Sequence, residues 1–136
     1  MERNHHYLFL SNTDGIKNQQ NVNDFTIELP SELQLKENWY CGLAELNLKI
    51  KSETSIIYVC CDICQDSFVK NRQLPLWRKI HVTKKQYNVS YNPIYYVKLS
   101  RESVRHIRIY IKDQDLKPTS FANGTLTCTL HLIKQW

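Results

Sequence analysis

Cys60, Cys61 and Cys64 crowd three thiols into five positions, and Cys41 and Cys128 complete the chain's five cysteines. Thiolates so close together could hold a soft metal or act as nucleophiles. Cys61 and Cys64 form a Cys-x-x-Cys pair, but no second pair and no spaced histidines follow to complete a zinc site. A strand running on through Cys64 would also turn the two side chains to opposite faces, because they alternate with period two. An odd, crowded set does not resemble a secreted disulfide framework and fits a reducing compartment. With no basic group or helix terminus nearby to lower a thiol pKa, the cysteines read as small buried hydrophobes. Neither a metal nor a cofactor is expected.

The other reactive side chains are equally dispersed. Of the five histidines, His106 and His131 fall on the polar sides of alternating segments and are expected to be exposed. Asn12-Thr13-Asp14-Gly15 is faintly like an aspartic-protease triplet, but its Asp is misplaced and the polar surroundings read as a turn. No G-x-S-x-G elbow, H-E-x-x-H pair or nucleotide loop occurs. Only three glycines are present, Gly15, Gly42 and Gly124. That excludes dinucleotide and P-loop sites, whose backbone amides must approach a phosphate. No catalytic residue is assigned, and an enzyme is not expected. Asn88-Val89-Ser90 and Asn123-Gly124-Thr125 are formal glycosylation acceptors. The opening residues lack a basic-then-apolar leader and no apolar run approaches the roughly 20 residues that span a bilayer. The expectation is a soluble chain with no membrane partner and no secretory address, on which those acceptors carry nothing.

Charge is distributed more informatively. The chain of 136 residues carries a net +5. Residues 1–66 sum to −5, residues 67–101 to +8 without a single carboxylate, and residues 102–136 to +2. Lys70, Arg72, Arg78, Lys79, Lys84 and Lys85 in the middle block, interleaved with Trp77, Tyr87 and Tyr91, are the candidate contact residues. Such a block could neutralise phosphates while its aromatics stack on bases. It could equally meet the acidic N-terminal half of a neighbouring subunit, or be a solvated rim.

The elements that must carry these residues are strands. No long stretch shows a helical apolar stripe, whereas period-two alternation recurs throughout. Ile107, Ile109 and Ile111 share one face against His106, Arg108 and Tyr110. Leu126, Cys128, Leu130 and Leu132 do so against Thr127, Thr129 and His131; Phe25, Ile27 and Leu29, and Leu46, Leu48 and Ile50, repeat the pattern. These read as strands with one wet face. Residues 7–10 and 56–63, the latter interrupted only by Asp62, are apolar on both sides or nearly so and are expected mid-sheet or against a neighbour. Residues 74–82, 86–91 and 95–99 complete the set. Asp14-Gly15, Pro30-Ser31, Asn92-Pro93, Pro118 and Asn123-Gly124 mark the turns. Trp39 and Trp77 are expected at the core or its edge, and Trp136 needs somewhere to dock. With 42% hydrophobic residues, the composition is that of an ordinary globular protein. The reading is all-β: residues 1–136 form a single domain, an antiparallel two-sheet sandwich or jelly roll of about eight strands.

Several segments, in order, resemble a known family. They are Tyr7-Leu8-Phe9-Leu10-Ser11-Asn12, Asn23-Asp24-Phe25-Thr26-Ile27-Glu28-Leu29-Pro30 and Trp39-Tyr40-Cys41-Gly42-Leu43-Ala44-Glu45-Leu46, then Ile57-Tyr58-Val59-Cys60-Cys61-Asp62-Ile63. Ile109-Tyr110-Ile111-Lys112-Asp113 and Phe121-Ala122-Asn123-Gly124-Thr125-Leu126-Thr127-Cys128-Thr129-Leu130 close the series. Together they resemble the penton proteins of Polinton/Maverick-type elements, adintoviruses and adomaviruses. Two departures stand out: Asp113-Gln114-Asp115-Leu116-Lys117-Pro118 replaces a loop that often holds glycine, and the cysteine cluster is richer.

The resemblance implies a single jelly-roll minor capsid protein, a homopentamer at the fivefold vertices of an icosahedral shell, surrounded by a double jelly-roll major capsid protein. It implies a virion protein made in the host cytosol, with assembly in the nucleus left open. The six basic residues would then face packaged DNA or a neighbouring subunit. A basic β-sandwich that binds nucleic acid and a lectin-like receptor-binding jelly roll are the other readings.

Overall fold

A computed structural model describes residues 4–51, 53–119, 121 and 124–135. Twelve strands follow one another: β1 (His5–Ser11), β2 (Gln20–Asn21), β3 (Asp24–Gln34), β4 (Trp39–Lys49), β5 (Ile56–Cys61), β6 (Ser67–Val69), β7 (Arg72–Leu74), β8 (Leu76–His81), β9 (Gln86–Ser90), β10 (Tyr96–Lys98), β11 (Ser103–Lys112) and β12 (Thr127–Lys134). The described residues contain no α-helix, only a 3-10 turn at Asn12–Asp14. All pairings between named strands are antiparallel. Sheet A runs β1-β12-β4, and both β9 and β10 pair with the far edge of β4; sheet B runs β2-β3-β11-β5-β8; β6 and β7 form a separate hairpin. The two large sheets pack face to face.

Alternation explains the core. Ile107, Ile109 and Ile111 of β11 are fully buried, as are Leu126 just before β12, Leu130 and Leu132 on it, and Phe25 on β3. They meet Leu43, Leu46 and Leu48 of β4 and Ile57 and Val59 of β5 in one continuous cluster. Trp77 and Trp39 are buried in it as expected. Residues 56–63 do lie mid-sheet, with β5 between β11 and β8.

Other expectations are corrected. There are twelve strands in three sheets where about eight were expected. The segment 74–82 breaks into β7 and β8 at Pro75, which has no N–H for a ladder. The β6–β7 hairpin turns on Lys70 and Asn71, both at positive φ (47° and 65°), the conformation of a two-residue type I′ turn. Lys-Asn is a weak sequence signal for it. Pro30-Ser31 does not end a strand: β3 continues to Gln34 because a register irregularity between Val104 and His106 absorbs the residues around the proline. Residues 7–10 belong to an edge strand, with Phe9 75% exposed. Asn123 and Trp136, and with them the tight-turn, glycosylation and docking expectations there, lie outside the described residues.

Asn12 ties the chain's beginning to its last strand. Its side chain is buried, donating to the Gln20 and Gly124 carbonyls at 3.0 and 2.8 Å and accepting from the Leu126 N–H at 2.8 Å. The Asn-Thr-Asp-Gly segment is thus a turn, and its first residue is structural.

Candidate interaction surfaces and a buried thiol cluster

The outer face of sheet A is aromatic. Tyr7 pairs with His131 across β1 and β12, and their rings stack at 4.2 Å and 5°. His131 faces Gly42 on β4, which in turn faces Tyr96 on β10. Gly42 is required there, since a Cβ would come within 2.4 Å of Ile94 and 2.8 Å of the Tyr96 ring. The missing side chain lets Tyr96 lie over the sheet and hydrogen-bond His131 Nδ1 through its hydroxyl at 2.8 Å. His5 adds an edge contact to His131, also at ring distance. His131 is therefore buried (7% exposed), contrary to the exposed imidazole expected, and its Nε2 has no hydrogen-bond partner. Burial, then the nearby His5, holds its pKa below the ordinary value. Around this covered centre Tyr7 and Phe9 stand 50% and 75% exposed.

The outer face of sheet B is ionic. Arg108 grips Asp24 with two hydrogen bonds, at 2.9 and 2.7 Å, and Arg105 and His106 both approach Glu28 at 3.7 Å. The Asp24 hydrogen bonds raise the Arg108 pKa. His106 is exposed as expected.

The six basic candidates separate into groups. Lys84 and Lys85 lie exposed in the β8–β9 connection, and Lys70 at the β6–β7 tip donates to the Gln114 carbonyl. The β4–β5 connection joins all three: Ile50 N–H bonds the Lys85 carbonyl, Val82 N–H the Ser55 carbonyl, and Ser55 N–H the Gln114 side chain. Those lysines therefore share one end of the sandwich. Arg72 and Lys79 are exposed on β7 and β8. Arg78 differs: opposite the core residue Val59, it turns between the sheets and places its guanidinium 3.7 Å from the Tyr91 ring centre and 4.8 Å from that of Tyr95. Its Nη1 is buried without a hydrogen-bond partner. Arg78 latches the edge of sheet B to sheet A. A cleft of about 390 Å³ is lined by Leu35, Glu37, Trp39, Lys98 and Arg101 among others.

The cysteines converge in an unexpected way. β5 ends at Cys61, and a turn closed by Cys64 N–H donating to the Cys61 carbonyl at 3.0 Å brings the two thiols together, where a continued strand would have parted them. Cys41 arrives from β4 on the opposite sheet, and the three sulfurs lie within 4.8 Å of one another, all buried. Desolvation pushes the Cys41 and Cys61 thiols up, whereas hydrogen bonds from Cys41 and Cys61 draw Cys64 down. What lowers a thiol pKa here is two S–H donors and no basic group. Cys60 and Cys128 stand apart from the cluster, each pushed up to about 12 by burial. Cys41 was invisible as a member, because 20 residues and a change of sheet separate it from Cys61.

No protein-family model matches the chain, and no curated protein matches it.

Proposed function

We propose that the chain is a structural subunit, a single jelly roll of the penton type that assembles through its flanks into a homopentamer of a viral shell. The nesting of its strand pairs carries this reading. With the short β2 and the β6–β7 hairpin set aside, and β9 and β10 counted as two pieces of one strand on β4, eight strands remain. First pairs with last (β1 with β12), second with seventh (β3 with β11), third with sixth (β4 with β9) and fourth with fifth (β5 with β8). Such nesting is what one long antiparallel ribbon rolled on itself would produce, and it supports the jelly-roll reading.

Such a sandwich has open sides, and unpaired edges are a liability unless covered. The edge strand β1 carries the exposed Tyr7 and Phe9 beside an aromatic face, a composition typical of protein contacts. Repeating one head-to-tail contact around a closed ring covers that flank in every copy. In the shell, a double jelly-roll major capsid protein would surround the ring. The end bearing Lys70, Lys84 and Lys85 favours a further contact with packaged DNA, since those ammonium groups can replace phosphate counterions.

The test is the native mass of the full chain, alone and on co-expression with the shell protein. A species about five times the 16.2 kDa subunit is expected. A monomer at high concentration that never enters particles would overturn the reading. For the DNA contact, Lys84→Glu with Lys85→Glu should weaken binding and flatten its salt dependence; unchanged binding removes that part alone.

A further inference from the structure

The convergence of Cys41, Cys61 and Cys64 calls for a ligand, and its chemistry can be narrowed. A metal centred among three sulfurs at about 2.3 Å from each would set them about 4.0 Å apart. The observed separations, none above 4.8 Å, exceed the sides of that triangle by at most about 0.8 Å. The three are 0%, 0% and 1% exposed, and among the described residues no imidazole or carboxylate joins them. Structural zinc is almost always four-coordinate, and catalytic zinc takes water in its open position. Among the described residues there is neither a fourth ligating side chain beside the three sulfurs nor exposure of the three to solvent. Thiolates in a dry, three-ligand site suit monovalent copper, a soft ion content with few ligands.

We propose that Cys41, Cys61 and Cys64 form a closed site for Cu(I), a trigonal thiolate centre that pins sheet A to sheet B. Binding exchanges S–H protons for the metal: Cu(I) enters, two or three protons leave to solvent, and no oxidation state changes. With two thiols ionised the centre carries one negative charge, the smaller burden for so apolar a setting. Affinity falls as pH falls, because protons compete for the same sulfurs. The site does not depend on the capsid reading, since its ligands lie inside one chain.

The experiment titrates the full chain, reduced and oxygen-free, with Cu(I) against a chromophoric Cu(I) chelator, and in parallel with Zn(II). One equivalent of copper is expected, with a thiolate-to-copper ultraviolet band and a rise in Tm of several degrees, since a ligand of the native state alone stabilises it. Cys64→Ala and Cys41→Ala should each lower copper affinity at least tenfold, while Cys128→Ala, a buried cysteine elsewhere, retains it. Circular dichroism of each apo variant separates lost binding from lost fold, and Cys61→Ser repeats the test should an alanine variant unfold. Equal copper binding by Cys64→Ala and the parent would overturn the proposal. So would zinc bound as tightly as copper, or a reduced chain that takes up no copper and on air exposure only loses two hydrogens in mass to a disulfide.

Discussion

Sheet A and sheet B share a core yet dress their outer faces differently. On β3 and β11 the outward positions are Asp24, Glu28, Arg105, His106 and Arg108, and the charges answer one another across the ladder. On β1, β12, β4 and β10 the corresponding positions are Tyr7, Phe9, His131, Gly42 and Tyr96, and rings cover a buried imidazole. Both faces arise from the same period-two alternation. The difference is that a face of paired charges is finished in water, whereas exposed aromatic rings on an edge strand gain free energy by being covered, about 25 cal/mol per Å².

The sharpest way to break this contrast is to charge the aromatic face. Tyr7→Lys with Phe9→Lys should reduce the native mass from that of the proposed ring to the 16.2 kDa subunit, while Arg105→Ala on sheet B leaves the mass unchanged. Phe9 is largely exposed and Tyr7, stacked on His131, half exposed, so circular dichroism of the variant separates a lost contact from a lost fold. If the ring survives, sheet A's outer face is not the contact.

Next in size is Gly42→Val. The new side chain meets Ile94 and Tyr96 at distances no Cβ tolerates, so Tyr96 must leave His131 or the strands must part. Overpacking of this kind costs about 1 to 3 kcal/mol, or roughly 3 to 6 °C in Tm per kcal/mol at this chain length. A melting temperature equal to the parent's would mean that Tyr96 rests on the sheet only loosely. Gly124→Ala is the control, as nothing lies within 4 Å of its Cβ.

His131 also makes the two faces differ in pH response. Its folded pKa is depressed by burial and by His5, so below the ordinary histidine value of about 6.5 the unfolded chain takes up a proton that the folded chain refuses. Stability is therefore full above that value and declines as pH falls toward the lower folded pKa. Urea unfolding at pH 8 and pH 5.5 should show this slope in the parent and lose it in His131→Gln. An undiminished slope in the variant would assign it to other groups.

How far the sequence speaks for the structure follows from the range of the interactions. The cores of β11, β12 and β3 are legible because alternation is local, as is the double burial of β5. His131 was misread for a related reason: alternation assigns a side, but cannot tell water from a tyrosine supplied by β1. The Cys41 contact to Cys61 and Cys64 crosses between sheets and leaves no trace in spacing. The candidate cations were legible as a charge block, yet only the fold distinguishes Arg78, held between Tyr91 and Tyr95, from the exposed Lys84 and Lys85. Even so, the order in which the strands pair could be supposed from the strand count alone only in outline, because nested pairing is a property of the whole chain.

The smallest effect belongs to sheet B. Asp24 and Arg108 make a two-bond pair at 2.7 and 2.9 Å, but both side chains are more than 40% exposed. An exposed pair is screened by water and salt and contributes about 0.2 to 1 kcal/mol even in good geometry. Asp24→Asn should therefore lower stability by no more than that at low salt, with the loss shrinking as ionic strength rises. The native mass should not change. A loss of several kcal/mol, or a subunit that no longer assembles, would show that the charged face is a contact in its own right, and the distinction between the two sheets would have to be drawn elsewhere.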